Sequence, residues 1–412
     1  MRWIVCLMGA VLCLPAAQAQ QLSCTPGEFV AERLDGPQRL SSLDLSEIPA
    51  AWNPGQSTLL LTWAGGDSTL QGQRFNVDLS PLDPAPTELV GTQPFEPAVT
   101  FNAESERYAV VWKNQEASAG GFNSLLGQVL DEDISTIGPV LEMSPEFGGR
   151  EPWVIASGSD FEALSRSPVA VYRINSNGTL GPSSSALAPN DSIPAPIGSL
   201  AYNPLNDEYL ATWRNQIDAR LEGTILDNTL TSVGGNFVIS SEFPTSGRAA
   251  YTFWDDESQR YLVLFGSFND DSVRLRQVDP NGSVSPEDIE LVSDQSLDSA
   301  SRGRASWLAD AGLLVYVRTE AAAGEESQII VRLFDGDGNL VTAPFSLPVN
   351  PSEIAQSAAQ PLALTGRDEV VFFGELFDEG SQQSSTALWR YRIELCPLIF
   401  SDRFESSTPR QQ

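Results

Sequence analysis

The chain has 412 residues, 41% of them hydrophobic, with 32 glycines and 28 prolines, a composition that fits a turn-rich globular protein and excludes a disordered one. Its 54 acidic and 24 basic residues give a formal net charge of −30, so we expect neither nucleic acid nor anionic lipid as a partner. Histidine is absent, which excludes Ser-His-Asp and Cys-His catalytic groups and histidine metal ligands.

Residues 1–19 have the three-part pattern of a secretory signal peptide. Arg2 gives the charged start, an apolar run follows from Trp3 to Leu14, and the segment ends in Ala17-Gln18-Ala19. No later apolar run approaches the length needed to cross a bilayer. We therefore expect an exported protein without membrane insertion, whose net charge changes from −30 to −31 when Arg2 is removed.

From about residue 48 the chain repeats a unit of roughly fifty residues. An aromatic residue recurs at separations of 49, 52, 49, 52 and 53, at Trp52, Phe101, Trp153, Tyr202, Trp254 and Trp307. A second large apolar residue follows ten or eleven positions later, at Trp63, Trp112, Leu164, Trp213, Phe265 and Val317, and a less regular seventh unit carries Phe373. Residues fixed at a repeat period usually pack in a core, so we assign the tryptophans of this second series to packing between units.

Each unit contains four short β-like runs separated by turn signals, as in "YNPLNDEYLATWRN" from Tyr202, and the third run of the first six units ends in Asn or Asp. This pattern predicts one four-stranded antiparallel sheet per unit. Seven such units favour a seven-bladed β-propeller, because radial repetition covers the sheet edges; a β-solenoid or a string of sandwiches fits the unit length less well. The predicted blades span residues 48–97, 98–148, 149–197, 198–247, 248–299, 300–353 and 354–396.

The seventh unit lacks a fourth run, and an unused β-like segment, "PQRLSSLDL", occupies residues 37–45. We predict that this N-terminal segment completes the last blade, so that residues 20–396 form one closed domain. Cys24 and Cys396 are the two cysteines left after the signal peptide, and in an exported protein such a pair is typical of a disulfide. A bridge closing so long a loop contributes roughly 4–5 kcal/mol in the chain-entropy model.

The segment "DGDGN" places Asp335, Asp337 and Asn339 at alternate positions, as in a calcium loop. A loop of that kind would have glycine where Leu340 stands, and the same position in other units holds "DPNGS" and "NSNGT", which are hairpin turns. These three residues are therefore a weak calcium candidate, and we expect no other cofactor.

The opening of the fourth unit resembles a repeat of secreted bacterial proteins that reads approximately "YN-P-x-x-x-E-Y-L-V-x-W" followed by "G-x-x-L-D-x-x-G". The matching positions are Tyr202, Asn203, Pro204, Glu208, Tyr209, Leu210, Trp213, Gly223, Leu226 and Asp227. This resemblance implies a propeller-like fold and assigns no catalytic residue. The tail at residues 397–412 is similar to a C-terminal segment of exported Gram-negative proteins, approximately "IF-x-DGFESG", with Arg403 and Ser407 in place of glycines. It implies a Gram-negative source and either a sorting role or a flexible end.

Three arginines stand just before first strands, at Arg150, Arg248 and Arg304, where a propeller chain enters its central channel. Converging there, they would bind a carboxylate or sulfate; the alternative is that they pair with this acidic surface. The segments after the second strands differ most between units, and function on a repeated scaffold usually depends on such loops.

We therefore predict a monomeric, exported, non-enzymatic binding module that presents variable acidic loops on one face to a protein or a polysaccharide. One alternative is a glycan-active hydrolase, which would need two carboxylates about 5–10 Å apart across the channel mouth. The other is a purely structural cell-surface protein.

Overall fold

The computed structural model describes the greater part of the chain between Phe29 and Leu395. The described residues are 29–40, 49–64, 69–91, 94–114, 123–147, 152–166, 169–188, 198–215, 217–241, 250–267, 272–293, 303–320, 328–349, 353–355, 360–378 and 383–395. Arg150, Arg248, Cys24, Cys396, the signal peptide and the tail all lie outside these ranges, so the predictions made for them remain predictions.

The described residues form 29 strands and one short 3₁₀ helix, Ala309–Ala311. Strands β1 to β13 are Phe29–Leu40, Ala50–Asn53, Thr58–Ala64, Leu70–Asn76, Thr87–Val90, Pro94–Asn102, Arg107–Asn114, Asn123–Leu130, Thr136–Phe147, Trp153–Ser157, Asp160–Arg166, Val169–Asn175 and Thr179–Ser183. Strands β14 to β29 are Gly198–Asn203, Glu208–Asn215, Arg220–Leu226, Ser232–Ser240, Tyr251–Asp255, Arg260–Gly266, Val273–Val278, Ile289–Val292, Arg304–Leu308, Leu313–Glu320, Gln328–Asp335, Phe345–Leu347, Glu353–Ala355, Gln360–Leu364, Glu369–Asp378 and Gln383–Leu395.

The strands pair into seven antiparallel sheets, which we number as blades I to VII. Blades I to VI each join four consecutive strands, from β2–β5 in blade I to β22–β25 in blade VI. Blade VII has the order β27-β28-β29-β1, and β26 pairs with the far end of β28. First strands of neighbouring blades contact each other at six of the seven junctions, including β27 with β2, and blades V and VI share a hydrophobic cluster, so the ring is closed. The chain is a seven-bladed β-propeller, as the repeat predicts.

Antiparallel pairing divides the connections between the two ends of the ring. In blades I to VI the turn between strands one and two lies at the same end as the turn between strands three and four. We call this end the turn face. Blade VII has only the first of these turns, because its third and fourth strands, β29 and β1, come from opposite ends of the chain. The connections between strands two and three lie at the opposite end, together with those between blades, and we call this end the loop face.

The hydrophobic core consists of the layers between adjacent blades. Each of its clusters combines side chains of successive blades; for example, Leu364 and Phe373 of blade VII pack with Trp52 and Trp63 of blade I. The Trp52 indole N–H also donates to the Thr365 carbonyl of blade VII at 2.9 Å. The three second-strand tryptophans are 2%, 0% and 1% exposed at Trp63, Trp112 and Trp213, which confirms that they serve packing between blades.

The N-terminal strand closes the ring, but it lies earlier in the chain than predicted. Strand β1 begins at Phe29, eight residues before Pro37, and its partners in β29 run from Leu395 back to Thr386. It ends at Leu40, and residues 41–45 of the predicted segment are outside the described ranges. Two register shifts, between Arg33 and Gln38, accommodate the pairing. The sequence of β1 lacks an alternation of apolar residues and includes the charged residues Glu32 and Arg33. A fourth strand has little apolar area to bury, so hydrophobic periodicity did not predict the start of this strand.

The turns between strands three and four share one conformation in blades I to VI. The fourth residue of each turn has positive φ: Leu79, Ile134, Gly178, Leu230, Gly282 and Gly338. Glycine adopts this conformation without strain, whereas Leu79, Ile134 and Leu230 are at most 5% exposed. In those three turns, burial of an aliphatic side chain offsets the strain. Within the described residues, no helix is both long enough and apolar enough to cross a bilayer.

Candidate functional site

The loop-face mouth of the channel is formed by the first residues of the inner strands. Counting four residues back from the last paired residue of each inner strand gives one equivalent position per blade, which we call the mouth position. It is occupied by Pro49, Ala98, Trp153, Ser199, Tyr251, Arg304 and Gln360. The residue type changes completely from blade to blade. By contrast, the third residue after each mouth position, near the turn-face end of the inner strand, is aromatic in five of the seven blades.

Trp153 of blade III contacts both blade IV and blade V near the loop face. Its indole N–H donates to the Leu200 carbonyl of blade IV at 3.2 Å, and its ring meets Tyr251 of blade V edge-on at 5.7 Å. This reach is sterically allowed because blade IV carries only Ser199 at the mouth position. The Ser199 side chain is buried, and its hydroxyl lies 2.6 Å from the Thr252 hydroxyl of blade V. Trp153 itself remains partly exposed.

Arg304 and Gln360 lie across the channel from Trp153. Blades VI and VII are three and four places from blade III in a ring of seven, so these side chains start from the opposite wall. Both are partly exposed, as is Ala98 of blade II, whereas Pro49, Ser199 and Tyr251 are buried. The seven mouth positions therefore include one indole, one guanidinium and one amide that are partly exposed. None of the seven residues is a carboxylate.

The sequence predicted Arg304 at the channel entrance, and the structure places it there as the first residue of β22. Sequence reasoning did not place Trp153 at the mouth position because it treated this residue as the counterpart of Tyr202. That alignment is wrong: the strand pairing makes Ala156 equivalent to Tyr202 and puts Trp153 three residues earlier, opposite Leu164. Blade III has a two-residue turn between its first strands where blade IV has four residues, which displaced the apparent repeat.

The same correction applies to three residues of the second repeated series. Leu164, Val317 and Phe373 lie one residue before the position of Trp213, and Ser165, Arg318 and Gly374 occupy it. Successive residues of a strand point to opposite sides, so these three side chains face the following blade instead of the preceding one. Arg318 is thus a 3% exposed arginine in a tryptophan position, with its Nε 4.0 Å from Glu320.

The calcium candidate forms a turn of the kind seen in the other blades. The Asp335 Oδ1 atom accepts the backbone N–H groups of Asp337 and Asn339 at 3.0 and 2.8 Å, and Oδ2 accepts the Asn339 side-chain amide at 2.9 Å. Asp131 and Asp227 accept backbone N–H groups in the same way in blades II and IV. Among the described residues, no group of three or more His, Cys, Asp or Glu side chains is arranged to hold a metal.

Blade III contains a buried carboxylate on the turn-face side of the blade III–IV layer. Glu162 is fully buried, pairs with Arg173 at 2.8 Å, and accepts hydrogen bonds from the hydroxyls of Ser157 and Tyr209. Burial raises the pKa of Glu162, and hydrogen bonds from Ser157 and Arg173 act in the opposite direction. Burial, and then the charge of Glu162, raises the pKa of Tyr209, so this tyrosine stays protonated. The group is closed to a substrate and does not make a nucleophile.

The turn face also carries a small polar pocket in blade II. It has a volume of about 220 Å³ and is lined by Ser105, Glu106, Arg107, Asp131, Glu132 and Asp133. Neighbouring blade I contributes contacts at its edge, where Gln56 donates to Glu132 at 2.8 Å and Arg74 pairs with Asp133 at 2.8 Å. These contacts explain the cluster as a junction between blades.

Several solved structures share this fold at low sequence identity. The lectin BP39L from Burkholderia pseudomallei matches with a TM-score of 0.57 at 12% identity, over 88% of this chain and 97% of that one. The WD40 domain of coronin from Toxoplasma gondii gives 0.52 at 13%, over 90% and 88%. Hydrazine synthase from Kuenenia stuttgartiensis gives 0.51 at 12%, over 84% and 98%. At these identities the likeness shows the fold alone.

No protein-family model and no curated protein sequence matches the chain. What the chain does must therefore be argued from its own residues.

Proposed function

We propose that this protein is an exported, non-enzymatic binding module that contacts a protein or a polysaccharide through its loop face. The observation that supports this proposal is the contrast between the two kinds of repeated position. Aromatic residues of the second strands are buried between blades, whereas the connections between strands two and three range from 2 to 8 residues and all start on the loop face. Conserved geometry below a variable surface is typical of a scaffold that presents loops.

A glycan array tests the polysaccharide arm directly. The protein beginning at Gln20 is applied to the array with calcium and with a chelator, and a pull-down from the native cell envelope tests the protein arm. We expect saturable binding of a partner in either the glycan array or the pull-down. The absence of any saturable partner in both would contradict the proposal and favour the purely structural alternative.

A loop variant then locates the binding surface. Replacing residues 115–122, which join β7 to β8, with a two-residue connection like residues 167–168 removes loop-face surface without touching a blade. We expect lost binding at an unchanged melting temperature. The matched control is Gln56→Ala on the turn face, where loss of a single exposed hydrogen bond should leave binding intact.

A further inference from the structure

We infer that Asn281, in the turn between strands three and four of blade V, is a site of spontaneous deamidation, whereas its surroundings protect the equivalent Asn177 of blade III. The modification lies on the turn face and is independent of what the loop face binds. It places a new negative charge on a protein that is already strongly acidic.

The chain contains two Asn-Gly pairs, Asn177-Gly178 and Asn281-Gly282. Each pair forms the third and fourth residues of its turn, and both asparagines are exposed. Glycine follows them because the fourth residue has positive φ, 77° at Gly178 and 81° at Gly282. A glycine nitrogen carries no neighbouring side chain, so the amide of the preceding asparagine is open to its attack.

The reaction needs only water. The Gly282 nitrogen loses its proton to solvent and bonds to the Asn281 Cγ atom. The Cγ–Nδ2 bond then breaks, and the side-chain nitrogen takes up a proton and leaves as ammonia. Water opens the resulting five-membered imide: cleavage between the Gly282 nitrogen and Cγ gives aspartate, and cleavage between that nitrogen and the backbone carbonyl carbon gives isoaspartate. Either product carries an ionised carboxyl group in place of a neutral amide, and its proton goes to solvent.

The repeat shows that aspartate is tolerated at this position of the turn. The equivalent residue is an aspartate in three other blades: Asp78, Asp133 and Asp337. In blade I the Asp78 Oδ1 atom accepts the Ser80 backbone N–H at 3.0 Å. In blade V the Asn281 Oδ1 atom accepts the Ser283 backbone N–H at 2.8 Å. The aspartate product therefore keeps the turn, whereas isoaspartate inserts an extra main-chain atom and does not fit it.

Both turns must open before the reaction can take place. The Gly282 N–H donates to the Asp279 carbonyl at 2.9 Å, and the Gly178 N–H donates to the Asn175 carbonyl at 2.9 Å. These bonds hold the attacking nitrogen away from the side-chain carbon. The rate at each site consequently depends on how often its turn opens locally.

Additional hydrogen bonds hold the blade III turn closed. The Asn177 Oδ1 atom accepts both the backbone N–H and the hydroxyl of Thr179, at 3.1 and 2.7 Å. The Ser176 backbone N–H donates to the Asp160 carboxylate at 2.9 Å, which ties this turn to the first turn of the same blade. In blade V, Pro280 stands in place of Ser176 and has no N–H to donate.

Packing against the preceding blade increases the difference. Gly178 is buried, and its main chain lies so close to the Ile137 carbonyl of blade II that a Cβ atom would not fit. That carbonyl is itself held by the Gln128 amide at 2.8 Å. Gly282 is partly exposed, and the atoms nearest to the place of a Cβ belong to the ring of Phe237, at 3.2 Å or more. A side-chain ring can turn aside, whereas a strand carbonyl cannot, so the blade V turn opens more often.

Peptide mapping by mass spectrometry tests the site in the protein beginning at Gln20, incubated in mildly alkaline buffer. Asn281 should be converted to aspartate and isoaspartate about tenfold faster than Asn177, because opening the blade III turn breaks more hydrogen bonds. In guanidinium chloride, which unfolds both turns, the two rates should become similar. Asn206 is the control, since it is exposed in a turn but is followed by Asp207, and it should stay intact in the folded protein.

Three variants test the cause and the product. Ser176→Pro removes the bond to Asp160 and gives the blade III turn the proline of blade V, so the rate at Asn177 should rise several-fold while the rate at Asn281 stays unchanged. Asn281→Gln should show no conversion at this position. Asn281→Asp should keep the wild-type melting temperature, as the aspartate of blade I implies.

Three results would overturn the inference. The first is a rate at Asn177 that equals or exceeds the rate at Asn281 in the folded protein. The second is full retention of Asn281 in the folded protein while both asparagines react in guanidinium chloride. The third is no reaction of either asparagine in guanidinium chloride. The wild-type comparison of folded and unfolded protein decides among these even if Ser176→Pro does not fold, and none of them bears on the proposed binding function.

Discussion

Glu162 departs from the repeat by placing a carboxylate at an apolar position. The equivalent position in the other six blades is aliphatic: Leu60, Ala109, Leu210, Leu262, Val315 and Val371. In blade III the substitution is compensated locally, because Ser157 replaces the asparagine that ends the inner strand in blades I, II and IV. Glu162 then gives the Tyr209 hydroxyl of blade IV a partner at 3.1 Å, and Arg173 neutralises its charge.

We predict that Glu162 makes the protein lose stability as the pH rises. Burial raises its pKa above the ordinary value of 4.5, so the folded state binds its proton more tightly than the unfolded state does. The stability that this carboxyl contributes is therefore fully present below the unfolded pKa and is lost as the pH rises through the folded pKa. In urea unfolding between pH 4 and 7.5, the free energy of unfolding of the wild type should decrease relative to that of Glu162→Gln as the pH rises.

Glu369 provides the opposite case in the same protein. It is 5% exposed, and although burial opposes the shift, hydrogen bonding and the charges of Arg390 and two further arginines hold its pKa below 4.5. Its contribution is present above the unfolded pKa and disappears as the pH falls through the folded pKa. In the acidic range, the free energy of unfolding of the wild type should therefore increase relative to that of Glu369→Gln as the pH rises. Parallel pH profiles for the two variants would contradict both assignments.

At the scale of the strand, closure of the ring depends on a segment with little apolar area. Strand β1 is held by the backbone ladder to β29, by partly buried Ala31 packed against the blade VI–VII layer, and by weak ion pairing of Glu32 with Arg392 at 4.0 Å. An exposed ion pair of this kind contributes at most about 1 kcal/mol. The backbone hydrogen bonds therefore matter most, since without β1 the third strand of blade VII becomes an open edge.

We predict that removing residues 20–40 lowers the melting temperature and opens β29 to solvent. The measurement is differential scanning calorimetry combined with amide hydrogen exchange, in which residues 386–393 should lose protection. Removing residues 397–412 is the matched truncation and should change neither quantity, because it keeps all seven blades. Full protection of β29 after the N-terminal deletion would show that β1 does not close the ring.

The sequence predicted the number of strands in each blade better than it predicted their register. Periodicity predicted seven four-stranded units, because every blade buries a run such as "YLATW" whose alternation is set by packing on both sides. The register in blades III, VI and VII could not be read in the same way. A shortened turn before Phe161, and Arg318 and Gly374 in a position that other blades fill with aromatic residues, are visible only when the strands are paired.

The candidate site was predictable only in part for the same reason. Arg304 was found because it precedes a recognisable strand. Trp153 was not, because its aromatic character matched a core series and only the three-dimensional register moves it to the mouth. Composition gave no signal for the mouth position as a whole, since its seven residues share nothing in sequence.

At the scale of the whole molecule, the large negative net charge affects the stability of the fold. With a net charge of −30 over the full chain, like charges repel one another across the molecule. Blade II alone brings Glu106, Asp131, Glu132 and Asp133 to one pocket beside a single lining arginine, Arg107. Compact folding concentrates this charge, and the unfolded chain relieves it, so electrostatic repulsion opposes the folded state.

We predict that added salt stabilises the protein. The Debye length falls from about 30 Å at 0.01 M to about 10 Å at 0.1 M, so repulsion between separate blades is screened while the buried pair of Glu162 with Arg173 is hardly affected. The melting temperature should rise by several degrees between 0.01 and 0.2 M sodium chloride. Glu106→Gln combined with Asp133→Asn removes two charges from one pocket and should reduce that slope. A melting temperature that falls over this range would mean that attractive surface pairs outweigh repulsion, and the acidic faces would then be stabilised by their arginines.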